Sequence, residues 1–205
     1  MKFGIFQSVQ WPEGSDQHDR YRQAIEQAIV AEELGFESLW MTEHHFTRHG
    51  ITSDTLALLA YIAARTDRIR LGTAVSVLPF HDPVRLAESL ALVDHLAEGR
   101  LDVGIGRGYQ WSEYHGFAIG LDEGSDRFEE ALEILLHSWA AEEPFEFEGK
   151  YHRYDAAFPQ PKPFQDPHPP IYHSIPHHHS ETSLYPHQFI VPPTHPHSHG
   201  QTRPG

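Results

Sequence analysis

The chain has no cysteine, few basic side chains and no long apolar run, and each shortage excludes a class of protein. Without cysteine, the chain has no disulfide framework, thiolate nucleophile, iron–sulfur cluster or cysteine-ligated zinc site. Only 15 Lys and Arg stand against 29 Asp and Glu, for a formal net charge of −14. This balance argues against nucleic acid as a partner, because binding phosphate requires basic residues.

Membrane insertion and secretion are also disfavoured. The longest apolar run, residues 56–64, is far shorter than the roughly 20 residues that span a bilayer. Residues 1–6 enter a strand-like pattern directly, without the long apolar stretch and small-residue cleavage site of a signal peptide. The sequence therefore predicts a cytoplasmic protein, long enough for one domain with a real core.

The composition changes sharply in the last part of the chain. Half of the 18 histidines lie from His168 onward, and residues 189–191 are the one apolar cluster after residue 173. Such a stretch buries too little apolar surface to offset the entropy lost on ordering it. We therefore expect a folded part over residues 1–172 and a disordered or aberrant His/Pro-rich tail over residues 173–205.

Histidine clusters in the tail raise the alternative of a metal site. His177 to His179 and the alternating histidines of residues 195–199 would hold nickel or zinc only weakly, because a proline-rich strip fixes no geometry. We expect no metal site in this protein. The abrupt gain of His, Pro, Ser and Thr instead suggests an out-of-frame stretch of a GC-rich gene from about codon 173.

The first 172 residues alternate strand and helix patterns in a (βα)4β order. Helices of this length between strands indicate an α/β fold with a parallel sheet, either doubly wound or a (β/α)8 barrel. Because a closed barrel needs eight units, the chain is either an open sheet or an incomplete barrel. The predicted strands cover residues 3–9, 36–41, 69–78, 100–105 and 170–172, and the predicted helices residues 19–34, 55–65, 83–97 and 125–139.

Polar residues follow the predicted strands at their carboxyl ends, where both parallel architectures bind ligands. Glu43, His44 and His45 come directly after the second strand. A neutral imidazole accepts or donates a proton near pH 7, which suits general acid–base catalysis. Because adjacent residues of an extended segment point to opposite sides, at most one of the two histidines faces the site. A hydrogen-bonded structural cluster is the competing interpretation.

A glycine-rich turn follows the fourth predicted strand. In Gly104-Ile105-Gly106-Arg107-Gly108 the glycines allow close backbone approach, and Arg107 adds a forked positive charge that suits an anion such as phosphate. A tight turn with a solvated arginine fits the same spacing. The pattern lacks the lysine of a P-loop, and no His-Glu-x-x-His pair indicates zinc.

Five segments match one known family in order and spacing: Glu43 to Thr47, Leu71 to Val75, Val77 to Pro79, Pro83 to Glu88, and Gly99 to Gly108. Together they resemble the bacterial luciferase-like monooxygenases, flavin-dependent enzymes on a (β/α)8 TIM-type barrel, and most closely the luciferase α-subunit branch. The resemblance covers residues 1 to about 172, and the tail does not match. It implies that the chain is the amino-terminal (βα)4β portion of such a barrel.

The resemblance assigns roles to individual residues. His44 would be the catalytic histidine, and His45 would support it. Arg107 would bind the phosphate of FMN, and the Ala74–Val75 peptide, often cis in this family, would lie under the flavin ring. The implied cofactor contacts are Glu43, Ala74, Val75, Arg107, Gly108, Tyr109 and Glu113.

The implied activity is oxidation of an aldehyde or another small organic substrate by O2 and reduced FMN supplied by a separate flavin reductase. The chain would form a homodimer or heterodimer through its second and third helices, with Arg85 and Glu88. Two alternatives stay open: a non-catalytic flavin-binding or subunit-like protein, and a deazaflavin-dependent oxidoreductase. A half-barrel has exposed strand edges, so we expect weak flavin affinity and little turnover from this chain alone.

Overall fold

A computed structural model describes residues 3–174 and 189–190. Five parallel strands lie side by side in the order β1, β2, β3, β5, β8, with the short β4 also paired in parallel with β5 and β9 antiparallel to β8. In chain order the strands are β1 (Gly4–Gln7), β2 (Ser38–Met41), β3 (Arg70–Thr73), β4 (Ser76–Val77), β5 (Leu101–Gly106), β6 (Phe145–Glu148), β7 (Arg153–Ala157), β8 (Ile171–Ser174) and β9 (Phe189–Ile190).

Aspartate side chains begin three of the helices. Asp16, Asp54 and Asp82 each accept a hydrogen bond from the backbone N–H three residues later, which satisfies a donor that the helix itself leaves unpaired. Pro83 occupies the first turn after Asp82, where its missing N–H costs nothing. The α-helices of the described residues are α1 (Gln17–Glu33), α2 (Thr55–Ala63), α3 (Pro83–Leu96), α4 (Trp111–Gly116) and α5 (Gly124–Ala140).

One face of the parallel sheet is covered by helices. Leu39, Leu71 and Val103 project from this face and are fully buried in a single apolar cluster with residues of α1, α2, α3 and α5. A doubly wound sheet carries helices on both faces, whereas a (β/α)8 barrel carries them only outside. Within the described residues the architecture is therefore an incomplete barrel, not an open doubly wound sheet.

The opposite, concave face corresponds to a barrel interior. Phe6 on this face is 60% exposed, and Trp40 packs edge-on against Tyr172 with 5.0 Å between ring centroids. Gly72 lies under the indole of Trp40, where a Cβ atom would come within 2.3 Å of Trp40 Cε3. The glycine is needed there because the ring occupies the space of a side chain.

Two arginines at the amino ends of the strands make all their described hydrogen bonds to protein acceptors. Arg70 Nε and Nη2 donate to the two carboxylate oxygens of the buried Asp102 at 2.8 and 2.7 Å. Arg100 donates to the hydroxyl of Thr66 and to three backbone carbonyls, one of them that of Ile69. Both guanidinium groups are thus held by protein acceptors, and they join β3 and β5 to the neighbouring loops.

Three parts of the sequence-based description differ from the structure. The predicted third strand, residues 69–78, is interrupted at Ala74–Val75 and continues as β4 and a 3₁₀ turn over Leu78–Phe80. The α4 helix and the β6–β7 hairpin were not predicted. The hairpin turn is held by Glu130 of α5, whose carboxylate accepts the backbone N–H groups of residues 150–152. Periodic patterns of apolar residues in the sequence do not indicate a contact between a side chain and a distant backbone turn.

The tail falls mostly outside the described residues. Within it the structure describes His173 and Ser174 as the end of β8, and Phe189–Ile190 as β9. The histidine clusters at residues 177–179 and 195–199, and the expected disorder of the tail, lie outside the described ranges, so the boundary after residue 172 stays a prediction. Among the described residues no helix is long and apolar enough to cross a bilayer.

Candidate functional site

His44 and Glu113, 69 positions apart in the sequence, meet at the carboxyl end of the sheet. His44 follows β2, Glu113 lies in α4 beyond β5, and His44 Nδ1 is 3.0 Å from Glu113 Oε1. The same carboxylate oxygen accepts the backbone N–H of His45 at 3.0 Å. Glu113 is buried, and its carboxylate holds the side chain of His44 and the backbone of His45 in position from the protein interior.

Contacts with Thr52, Gly50 and Glu113 hold His44 in place. Its backbone N–H donates to the carbonyl of Thr52 at 3.0 Å, and Gly50 lies so close that a Cβ atom there would come within 2.6 Å of His44 Cδ2. The side chain is 17% exposed, and among the described residues Nε2 has no hydrogen-bond partner. When Nδ1 carries the proton, it donates a hydrogen bond to the Glu113 carboxylate and the Nε2 lone pair stays open, the arrangement of an oriented general base.

His45 turns the other way, as the alternation along the chain predicted. Its Nε2 lies 3.1 Å from Glu43 Oε1, and His81 Nε2 lies 2.9 Å from both oxygens of the same carboxylate. The backbone N–H of Val77 also donates to Glu43, at 3.3 Å. The buried Glu43 thus joins the end of β2 to the segment that leads into α3.

The charges of this cluster support one another. Burial raises the pKa of the Glu43 carboxyl, but hydrogen bonds from His45 and His81 lower that pKa by more, and the net shift is downward. Burial lowers the pKa of His81, and the hydrogen bond and charge of Glu43 raise that pKa by more, so the net shift is upward. Each of the two groups therefore favours the charged form of the other, which supports a structural role for Glu43. Its assigned cofactor contact stays a prediction.

Aromatic rings line the approach to the histidines. The ring of His45 contacts those of Phe80 and Phe117, with centroids 5.9 and 4.8 Å away. Phe46, 65% exposed, packs against Phe117 at 4.9 Å. Tyr109 is similarly exposed on the loop after β5. The surroundings of His45 are thus apolar and aromatic, which suits planar or apolar ligands and reduces access of water.

The glycine-rich turn presents the guanidinium of Arg107. Arg107 is half-buried, and within residues 3–174 its guanidinium makes no hydrogen bond or ion pair. The turn itself is rigid, because the hydroxyl of Tyr114 donates to the carbonyl of Arg107. Gly108 has φ +73°, and a Cβ atom there would come within 2.7 Å of Val77 Cγ1. A fixed turn with an available guanidinium fits an anionic ligand group.

The Ala74–Val75 peptide lies between these two centres. It is cis, as the resemblance implied. The backbone N–H of Ala74 donates to the carbonyl of Met41 in β2 at 2.7 Å, and Ser76 pairs with Ile105 in β5. The segment therefore bridges the strand that leads to His44 and the strand that leads to Arg107. Its contact with a flavin ring stays a prediction, as do those of Tyr109 and Glu113.

Two residues near the site were missed from the sequence. Gln110 directly precedes α4, and its Nε2 lies 3.0 Å from His44 Nδ1. His81 sits in the segment between Leu78–Phe80 and α3. Recognition of α4 as a helix would have placed Gln110 and Glu113, three residues apart, on the same side. No pattern in the sequence indicates the contact between His81 and Glu43.

The chain matches one known protein family over most of its length. The family described as luciferase-like monooxygenase matches residues 1–174. The chain belongs to the luciferase-like monooxygenase family. The family recognised from the sequence motifs and its TIM-barrel type of fold are thereby confirmed.

Individual relatives give finer points of comparison. The oxygenase component of a flavin-dependent trigonelline monooxygenase from Acinetobacter baylyi is 32% identical over 177 residues, 84% of this chain and 48% of that protein. The crystal structure of monooxygenase RslO1 from Streptomyces bottropensis superposes with a TM-score of 0.79 at 38% identity, covering 83% of this chain and 52% of that one. An F420-dependent secondary alcohol dehydrogenase superposes with a TM-score of 0.70 at 25% identity, covering 84% and 52%. The chain thus spans about half the length of the relatives it matches.

Proposed function

We propose that this chain is the flavin-binding, amino-terminal half-barrel of a two-component monooxygenase that uses O2 and FMN reduced by a separate reductase. The observation that carries the proposal is the His44–Glu113 pair, with Nε2 of the imidazole open at the carboxyl end of the sheet. The sequence similarity to the oxygenase component of a flavin-dependent monooxygenase supports it. When bound, reduced flavin supplies the electrons that activate O2.

The residues present fit a flavin phosphate. The guanidinium of Arg107, which has no partner among the described residues, forms forked charge-assisted hydrogen bonds to phosphate oxygens. Gly108 keeps the turn close to Val77 and leaves backbone N–H groups accessible to an anion. Tyr109 and the Ala74–Val75 peptide would contact the ring system. Arg107 is the residue on which FMN affinity depends most.

His44 moves the proton in this proposal. Glu113 holds Nδ1 as the donor, so Nε2 accepts a proton from an oxygen of the reacting group and returns it later in the cycle. Phe46, Phe80 and Phe117 pack against one another and against the neighbouring His45, and this apolar cluster limits the access of water. The cluster suits an aldehyde or another small organic substrate with an apolar body.

A dimer contact is the second part of the proposal. Tyr61 on α2 and Leu92 and Leu96 on α3 are large apolar side chains that are each more than half or about half exposed. Neighbouring exposed apolar side chains are typical of protein interfaces. We therefore place the partner, a second copy or a related subunit, on α2 and α3, beside Arg85 and Glu88.

A reductase-coupled assay tests the proposed function. The full chain is incubated with FMN, NADH, a flavin reductase and a panel of aldehydes and other small substrates, and oxygenated products are measured by mass spectrometry. We expect a small product yield that His44→Ala lowers about 10²- to 10⁴-fold, the usual contribution of a general acid–base group. A yield unchanged in His44→Ala would contradict the role of this residue.

Two other functions are separated by the ligand and by the yield. Structural similarity to an F420-dependent dehydrogenase makes a deazaflavin cofactor the second candidate, and tighter anaerobic binding of reduced F420 than of reduced FMN would select it. Binding of reduced FMN without product from any substrate would select a flavin-binding subunit without catalysis. Our proposal expects reduced FMN to bind more tightly than reduced F420.

A further inference from the structure

Two polar side chains compete for one ring nitrogen of His44. Glu113 Oε1 and Gln110 Nε2 each lie 3.0 Å from His44 Nδ1. A neutral imidazole nitrogen carries either a proton or a lone pair, so it donates to a carboxylate or accepts from an amide N–H, but does not do both. The two contacts therefore exclude each other, and one of the two side chains must present a different atom to Nδ1.

The hydrogen bond of His44 Nδ1 is made to Glu113. Its Oε1 already accepts the backbone N–H of His45 at 3.0 Å, and the carboxylate is buried. An ionised carboxylate only accepts hydrogen bonds, and a lone pair of Nδ1 directed at Glu113 would leave a buried charge without its second donor. Nδ1 is consequently the protonated nitrogen, and its N–H belongs to Glu113.

The amide of Gln110 must then reverse. With a proton on Nδ1, only the carbonyl oxygen of Gln110 is compatible with this nitrogen, and a half-turn of the amide exchanges its oxygen and nitrogen. The position occupied by Gln110 Oε1 has no hydrogen-bond partner among the described residues and is not one of the fully buried polar atoms. After the half-turn this open position holds the NH2 group.

We propose that Gln110 is a ligand-contacting residue whose side-chain NH2 donates a hydrogen bond to an acceptor oxygen bound beside His44, either a flavin carbonyl or a carbonyl or oxyanion of the substrate. The inference rests on the proposed function only for the identity of that oxygen. Backbone hydrogen bonds place the side chain: the carbonyl of Gln110 accepts the N–H groups of Glu113 and Tyr114 at the start of α4.

The proposal separates the work of the two groups. His44 Nε2 accepts a proton, whereas Gln110, on the Nδ1 side of the ring, donates a hydrogen bond without losing a proton, so the oxygen that Gln110 contacts keeps its position while the proton moves at Nε2. A neutral amide also stabilises a developing negative charge on that oxygen without repelling the phosphate that Arg107 would bind.

The tautomer of His44 is measured first, on ligand-free protein. In a sample labelled with ¹⁵N-histidine, we expect the ring nitrogen signals of His44 to show a protonated Nδ1 and an unprotonated Nε2 at neutral pH. Glu113→Leu removes the acceptor of the Nδ1 proton, and we expect it to shift the proton to Nε2. A protonated Nε2 in the wild-type chain would overturn the proposal, whatever the activity of the protein.

The contact itself is tested by titration and substitution. Addition of FMN or of butanal to the ¹⁵N-labelled chain should move the side-chain NH2 signal of Gln110, and movement with neither probe would contradict the contact. Gln110→Leu should weaken binding of reduced FMN about 3- to 10-fold if the oxygen belongs to the flavin. If the oxygen belongs to the substrate, it should instead lower kcat/KM by that factor at unchanged FMN affinity, the effect of one neutral hydrogen bond.

Gln17→Leu is the matched control for these measurements. Gln17 is exposed at the first position of α1, so the same chemical change there should leave FMN affinity and kcat/KM at their wild-type values. Gln110→Glu removes the donor but keeps the length of the side chain, and we expect it to weaken binding more than Gln110→Leu does. Equal affinity and equal kcat/KM in all four proteins would contradict the role of Gln110.

Discussion

The two ends of the parallel sheet treat their charged side chains in opposite ways. At the amino end, Arg70 is paired with Asp102 through two hydrogen bonds, and Arg100 is held by four protein acceptors. At the carboxyl end, within the described residues, Arg107 has no partner and His44 keeps one ring nitrogen open. Charged groups whose hydrogen bonds are made within the protein contribute to stability. Groups with an unused donor or acceptor are available to a ligand.

The same contrast exists inside the carboxyl end. Glu43 is surrounded by donors from His45, His81 and Val77, while Glu113 serves to orient His44. One acidic residue thus joins parts of the framework, and the other orients the imidazole of His44. The distinction could not be made from the residue types, because both are glutamates beside histidines.

The largest effect on stability is expected at the amino end. Asp102→Ala leaves the Arg70 guanidinium without its carboxylate, and loss of one partner of a buried pair costs about 3 kcal/mol. We expect the free energy of unfolding in urea to fall by about this amount. Asp155→Ala, which removes an exposed partner of Arg153, should change it by less than about 0.5 kcal/mol. An equal loss of unfolding free energy in Asp102→Ala and Asp155→Ala would contradict the structural role of the amino end.

At the carboxyl end the expected loss is in affinity. Arg107→Ala removes a guanidinium without a described protein partner, so the unfolding free energy should stay within about 0.5 kcal/mol of the wild type. Affinity for reduced FMN should fall about 10- to 100-fold, the effect of a hydrogen bond to a charged group. Arg153→Ala, at an exposed position, is the control. A destabilised chain with unchanged FMN affinity would place Arg107 with the structural arginines.

The smallest effect concerns the pH dependence of the Glu43–His81 pair. The raised pKa of His81 adds stability below pH 6.5 that is lost as pH rises through the folded-state pKa. The lowered pKa of Glu43 adds stability above pH 4.5 that is lost as pH falls through its folded-state pKa. The pair therefore stabilises most between about pH 4.5 and 6.5.

Urea unfolding of His81→Gln checks this window. The variant should be less stable than the wild type by about 1 kcal/mol more at pH 5.5 than at pH 9. His49→Gln, at an exposed position, should show the same small difference at both pH values. A loss in His81→Gln that does not depend on pH would mean that the contact is made by uncharged groups.

The sequence predicted the framework better than the contacts within it. The predicted strands at residues 36–41 and 100–105 correspond to β2 and β5, because runs of apolar residues report burial directly. The convergence of the three rim segments also followed from the parallel order of the strands. The pairing of Glu43 with His81 did not, because it joins residues on separate loops and depends on side-chain placement.

Local signals also failed in specific places. The segment that contains Glu113 was predicted as a loop. The sequence therefore did not indicate that Gln110 and Glu113, about one helical turn apart, lie on the same side. Arg70, Arg100 and Arg107 are indistinguishable in the sequence, and only the packed strands show which of them are paired. The location of the candidate site residues at one end of the sheet was therefore predictable, whereas their individual contacts were not.

A map of FMN-induced amide shifts tests the central claim most directly. The amino end has a cleft of about 530 Å³, lined by Glu32, Phe36 and Arg68 among others, which makes it a competing binding site. We predict that adding FMN to the ¹⁵N-labelled full chain shifts the amide signals of His44, Gly108 and Tyr109 and leaves those around the cleft unchanged. Shifts confined to the cleft, or no shifts at millimolar FMN, would contradict the assignment of the carboxyl end as the flavin site.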